Sequence, residues 1–141
     1  MYRRSTLGTC ALIATWIIAA AVNLGAQNPG GSPEGKALKN PIPTSAASVA
    51  AGLALYTKNC QFCHGPKGLG DGPLAPKDSH PANLTDAMWV RGSTDGEIFK
   101  VIMEGAGPEL KMKGVKGRLM DNDVWNLVNY LRSLGPKNAS R

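Results

Sequence analysis

The sequence predicts an all-α domain of three to four short helices joined by long loops. Three observations lead there. Apolar residues recur at helical spacing in three separate segments, and no segment alternates apolar and polar residues as a half-buried strand would. Glycine and proline, 17 and 10 of the 141 residues, gather between those segments, where they interrupt helices and shape loops. A chain of this length forms one domain by default.

The start of the chain reads as an address. Arg3 and Arg4 form a positive n-region, Leu7 to Val22 is an apolar run, and small residues end it at Gly25-Ala26. This layout predicts a secretory signal peptide over residues 1–26, cleaved after Ala26. Leu24 is bulkier than the residue usual two places before a cleavage point, and the 20 residues Leu7–Ala26 are long enough to stay as a membrane anchor, although Asn23 opposes that. Cys10 precedes most of the apolar run, too early for a lipoprotein cleavage site. Residues 27–44, with Pro29, Pro33, Pro41 and Pro43 among Gly, Asn and Ser, read as a flexible tether. The folded domain is then 45–136, followed by a frayed tail at 137–141.

Within the domain, Val49, Leu53 and Tyr56 mark a first helix from Ser45 to Lys58, with Ser45 or Ser48 as its cap. Residues 65–83 form a long Gly- and Pro-rich loop. Its Gly68-Leu69-Gly70 is no phosphate loop, because no strand precedes it and no helix follows. Thr94-Asp95-Gly96-Glu97 has the form of a capping box and opens a helix that carries Ile98, Val101 and Ile102 to Gly105. A second loop runs from Gly105 to Gly117. The last helix starts near Asp121, presents Val124, Leu127, Val128, Leu131 and Leu134, and stops at Gly135-Pro136.

The chemistry sits just after the first helix, in Cys60-Gln61-Phe62-Cys63-His64. C-x-x-C-H is the attachment pattern of a c-type haem. Two thiols add across the haem vinyl groups, a two-residue spacer lets both reach one porphyrin edge, and the adjacent His64 supplies the proximal ligand. Rival readings fit less well. A zinc site needs four ligands, and the chain has three Cys and two His with Cys10 far upstream. A thioredoxin-like disulfide needs a βαβ surround that is missing. Two buried thiols beside an incidental His are the plain structural alternative. Once the leader is removed, the haem pair are the last cysteines left, so the exported domain has no structural disulfide.

Met88, Met103, Met112, Met120 and His80 are the candidates for a second iron ligand. Met103 falls in an aliphatic helix face, which favours core packing. His80 would give a bis-His centre, but its polar, Pro-rich loop favours an exposed side chain. Met120 abuts the last helix. Met112 lies in a loop, Gly107 to Gly114, whose backbone can aim a side chain.

The order helix, C-x-x-C-H, Gly-rich loop, Met loop, aromatic-containing last helix resembles the class I c-type cytochromes, most of all their small bacterial monohaem members. The resemblance covers roughly residues 48–135. The family follows its ligand Met with a Leu seven places on, an acidic helix start and a Trp; here Met112 precedes Leu119, Asp121, Asp123 and Trp125 at matching spacing. The resemblance therefore implies Met112 as the axial partner of His64. Lys113 stands where the family usually has Pro. The resemblance also implies crossed first and last helices, with Gly52 and Tyr56 meeting Leu127 and Tyr130, and Trp89 and Trp125 walling the haem or core. In similar proteins a loop Pro carbonyl accepts the other ring proton of the proximal His, and Pro73, Pro76 and Pro81 are the candidates.

Filled axial positions imply an electron carrier with one covalent haem c, exported to the periplasm or held at the outer face of the membrane. The alternative is a haem c subunit, or an open-site haem protein such as a peroxidase, reductase or gas sensor. The chain has 16 Lys plus Arg against 10 Asp plus Glu; losing Arg3 and Arg4 with the leader leaves 14 against 10. No basic repeat interleaved with aromatics suggests nucleic acid. Lys111, Lys113, Lys116 and Arg118 cluster around Met112, where they would steer an acidic redox partner toward the haem edge or simply form a solvated loop.

Overall fold

The computed structural model describes residues 31–78, 80–107 and 111–135. The leader, the tail at 137–141 and Pro136 lie outside the described residues. Five helices and one two-residue hairpin follow in order: α1 Pro33–Ala37, α2 Ala46–Asn59, α3 Gln61–His64, α4 Asp95–Glu104, β1 Gly105–Ala106, β2 Met112–Lys113 and α5 Asp121–Leu134.

Local chemistry sets the helix ends. The Ser45 hydroxyl accepts from the Ser48 amide at 3.1 Å and caps α2. At α4 the expected capping box is complete: the Glu97 amide donates to the Thr94 hydroxyl at 3.3 Å, and the Thr94 amide donates to Glu97 Oε2 at 2.9 Å. Asp121 and Asp123 lie in the first turn of α5, where the helix dipole favours negative charge.

Helices α2 and α5 pack face to face and carry most of the core. Tyr56, Val124, Leu127 and Val128 are the most deeply buried large side chains. Gly52 makes the approach close, since a Cβ there would collide with the carbonyl oxygen of Asn126 and press on Tyr130. Four residues on, the rings of Tyr56 and Tyr130 meet at 5.1 Å between centroids, tilted by 53°. Helix α4 closes the third side through Ile98, Phe99 and Ile102, and Phe99 stacks on Trp125 at 4.0 Å. Trp125 is therefore a core residue. Arg132 of α5 reaches the N-terminal end of α4, bonding Asp95 at 2.7 Å and the carbonyl of Ser93.

The described part of residues 27–44 corrects the reading of that segment as a flexible tether. Ser32 caps α1, Pro33 occupies its first turn, and the short helix lies on α4. The contact is glycine to glycine: Gly35 is buried over Glu97, and a Cβ on Gly96 would strike the Gly35 carbonyl. Beyond α1 the chain is pinned to α5. Asn129, buried at 2% exposure, accepts from Asn40 Nδ2 at 2.9 Å and from the Thr44 hydroxyl at 3.2 Å. Its own Nδ2 donates to the Ile42 carbonyl at 3.1 Å and the Ser48 hydroxyl at 2.7 Å. A buried amide with all its partners made holds the strap down, despite the prolines that read as linker.

The loop expected from Gly105 to Gly117 contains the hairpin. Gly105 pairs with Lys113 and Ala106 with Met112, antiparallel. Residues 108–110 at its turn lie outside the described residues.

Candidate haem-binding site

The C-x-x-C-H motif is built on the end of α2. The Cys60 amide still bonds to the Tyr56 carbonyl at 2.8 Å, and the Cys60 carbonyl accepts from the Cys63 and His64 amides at 3.1 and 2.9 Å. Cys60, at the junction of the two helices, and the one-turn helix α3 thus present both sulfurs and the imidazole on an extension of α2. Gly65, at φ 79°, ends α3 in a backbone region that side chains disfavour. Its carbonyl accepts from the Tyr56 hydroxyl at 2.6 Å.

The following loop folds back over the motif rather than away from it. Amides of Gly70, Gly72 and Leu74 donate to the carbonyls of His64, Cys63 and Phe62 at 2.8, 3.1 and 2.8 Å. Farther along, the Ala82 carbonyl lies 3.1 Å from His64 Nδ1. With the proton on Nδ1, Nε2 is left as the free donor atom a metal needs. The orienting acceptor is therefore Ala82, not Pro73, Pro76 or Pro81. The ring of Pro81 precedes it, and the Pro81 carbonyl instead lies against Gly70.

Electrostatics follow burial. His64 is 9% exposed, and its pKa is lowered, first by desolvation, with the Ala82 bond acting in the opposite direction. Cys60 is pushed up to about 11 by burial and by the neighbouring Cys63, while Arg118 pulls it down. Both cysteines are free thiols, half-buried, and Cys63 Sγ lies 3.5 Å from the Leu74 carbonyl. Among the described residues no three His, Cys, Asp or Glu side chains are grouped to hold a metal ion, so the thiols and His64 do not form a zinc-type cluster.

Of the expected second ligands, Met88 and Met120 are each 73% exposed, and His80 is exposed as well. Met103 and Met112 are half-buried and pack against the core. Met103 sits at the end of α4, where its carbonyl accepts from the Lys116 amide. Met112 lies in β2, between that core contact and the loop surface. Lys111, Lys113, Lys116 and Arg118 are all exposed, but they are not four equivalent charges. Lys111 is ion-paired with Asp78, and Arg118 donates to the Gly114 carbonyl at 3.1 Å.

The site suits a covalent porphyrin on its own observations. Two free thiols flank one turn of helix, a neighbouring imidazole is held with one nitrogen bonded, and Phe62, Leu69 and Leu74 leave large apolar surface uncovered in and beside the motif. A planar apolar group bonded at the sulfurs would cover such surface. Sequence reasoning found the motif but missed Ala82, the Tyr56–Gly65 bond and the Asn129 node. Asn129 had a visible sign, an amide set between the apolar Val128 and Tyr130.

Comparison with known proteins agrees. Residues 47–131 match the family model described as cytochrome C oxidase, cbb3-type, subunit III. The chain belongs to this family. Its domain is accordingly a cytochrome c electron-transfer domain, of a family that carries haem c. The chain is 29% identical over 100 residues to the cbb3-type cytochrome c oxidase subunit FixP of Azorhizobium caulinodans, covering 71% of this chain and 32% of that protein. It is 33% identical over 87 residues to the FixP subunit of a Bradyrhizobium species, covering 62% and 28%. The chain thus spans about a third or less of these relatives' length. Cytochrome cL from Hyphomicrobium denitrificans shares the fold, with a TM-score of 0.54 at 22% identity over 79% of this chain and 66% of that one.

Proposed function

We propose that this family member binds a single haem through Cys60 and Cys63, with His64 and Met112 as axial ligands, and passes single electrons between redox proteins. One observation carries the reading: the His64 ring is fixed by the Ala82 carbonyl at 3.1 Å on the same helical turn that presents both thiols. The haem, when bound, supplies one-electron chemistry, and a thioether ligand favours the ferrous state and raises the potential.

The chain's own residues do the rest. Helices α2 and α5 and the Tyr56–Gly65 bond hold the motif still, which keeps reorganisation small. Ala82 fixes the tautomer of His64. Met112, if bound, leaves no open coordination position, so the transfer is outer-sphere. Lys113, Lys116 and Arg118 offer exposed positive charge in the segment after Met112 for an acidic partner, an effect that raises encounter rates at low salt.

The names of the relatives favour a more specific setting, a subunit or close partner of a cytochrome c oxidase. In this setting residues 1–26 direct export, and the domain works in the periplasm, either freed or held by residues 7–26. Among the described residues no helix is long and apolar enough to cross a membrane.

Mass spectrometry of exported, matured protein tests the attachment: one added haem on the peptide carrying Cys60 and Cys63 is expected, and its absence overturns the reading. A near-infrared thioether-to-iron band, lost in Met112→Ala, tests the sixth ligand. Tight carbon monoxide binding by the intact reduced protein would instead favour an open site.

A further inference from the structure

One ion pair connects the loop that orients His64 to the segment that leads into Met112. Lys111 Nζ meets Asp78 Oδ2 across 33 residues of sequence. Asp78 precedes Ala82 by four residues, in the loop whose carbonyl orients His64. Lys111 immediately precedes Met112. A single loop therefore holds the imidazole from one end and grips the methionine strand from the other.

Met112 itself packs against the core. The hairpin that contains it is two residues long on each side, with Ala106 opposite Met112. Lys113 follows it, paired with Gly105 rather than fixed in φ by a proline ring. Downstream, Gly114 packs on the backbone of Met103 and Glu104, and the amides of Val115 and Lys116 bond the carbonyls of Ile102 and Met103. The Asp78–Lys111 contact restrains the upstream side. The Lys111 side chain is only 30% exposed, so its stem lies along the protein while its ammonium meets the carboxylate.

We propose that the Asp78–Lys111 pair is a latch that positions Met112 toward the iron, making both side chains positioning residues for the sixth ligand. This rests on the reading of Met112 as that ligand. Because both groups reach solvent, the latch is weak and salt-sensitive, and it tunes Met112 binding without creating it. An external ligand must displace Met112, so its apparent affinity rises as the bound fraction of Met112 falls. Lys111 is then committed to the latch, and partner docking falls to Lys113, Lys116 and Arg118.

The test is an imidazole titration of the ferric holoprotein, followed by loss of the near-infrared thioether band. Wild type, Asp78→Asn, Lys111→Gln, the double variant and the charge swap Asp78→Lys/Lys111→Asp are compared at low and high salt. Each single variant should bind imidazole about 2- to 5-fold more tightly at low salt, the scale of an exposed ion pair. The double variant should match the singles, the swap should return toward wild type, and high salt should move wild type toward the variants. A wild-type band with single variants that titrate like wild type overturns the latch and leaves Met112 as ligand. A wild type without the band overturns the Met112 reading, and the latch falls with it.

Discussion

The Tyr56 hydroxyl donates to the Gly65 carbonyl at 2.6 Å, so the first long helix grips the backbone directly after His64. The same ring packs on Tyr130 of α5. One side chain thereby ties the helix crossing to the proposed metal ligand. Burial raises the phenol's pKa far above its ordinary value, so it stays a donor throughout the physiological range.

Tyr56→Phe keeps the ring and removes the donor. The buried Gly65 carbonyl then keeps the Gly68 amide at 3.2 Å, and loss of the phenol bond costs about 0.5–1.5 kcal/mol. Denaturant unfolding of the holoprotein should show that loss. A wild-type midpoint would mean that the bond contributes nothing.

Gly52→Ala improves helix propensity by roughly 0.5–1 kcal/mol, yet it drives a methyl group into the Asn126 carbonyl. A backbone carbonyl within a helix cannot swing aside as a flexible side chain can. The net result should be destabilisation of about 1–3 kcal/mol. Thermal unfolding measures the sign: a raised midpoint would show that the helices do not approach closely there.

Asn129→Ala removes the four bonds that its side chain makes to the strap and α2, leaving Asn40 bonded to the Trp125 carbonyl at 3.4 Å. Loss of about 2–4 kcal/mol is expected from a buried network of this kind. Amide exchange should rise across residues 38–44 while the rest of α5 stays protected. Unchanged exchange there would return the segment to the status of a loose tether.

The pH response follows from His64. Its folded pKa lies below the ordinary value of 6.5, so protons compete with a metal for this ring only in more acidic solution. The stability it contributes is present above 6.5 and is lost as the pH falls through the lowered value. In haem-free protein the His64 ring, followed by NMR, should stay neutral from pH 8 through 6.5 and take up its proton only below that. A midpoint above 6.5 would contradict the burial of the ring. In haem-free protein the buried Cys60 thiol, with its pKa near 11, should alkylate slowly at neutral pH and speed up toward that value.

Local chemistry was legible in the sequence. Ser45, Thr94 with Glu97, and the acidic start at Asp121 each mark a helix end within a few residues, because caps and dipoles act over one turn. The attachment motif was legible for the same reason, since its spacing is its chemistry. Gly52 with Tyr56 and Tyr130 was readable through family resemblance, and the packing of α2 on α5 bears it out. The strap was not. Pro and Gly between residues 27 and 44 lower local order, and only the distant Asn129 turns that segment into a docked one.

The sequence by itself marked the residues proposed to hold a haem and where helices begin and end, because both depend on neighbours a few positions apart. Tertiary structure alone decided which carbonyl orients His64, which lysine is paired, and where the N-terminal strap lies. Those choices join residues 18, 33 and 89 positions apart, and contacts at such separations exist only once α2, α4 and α5 have packed.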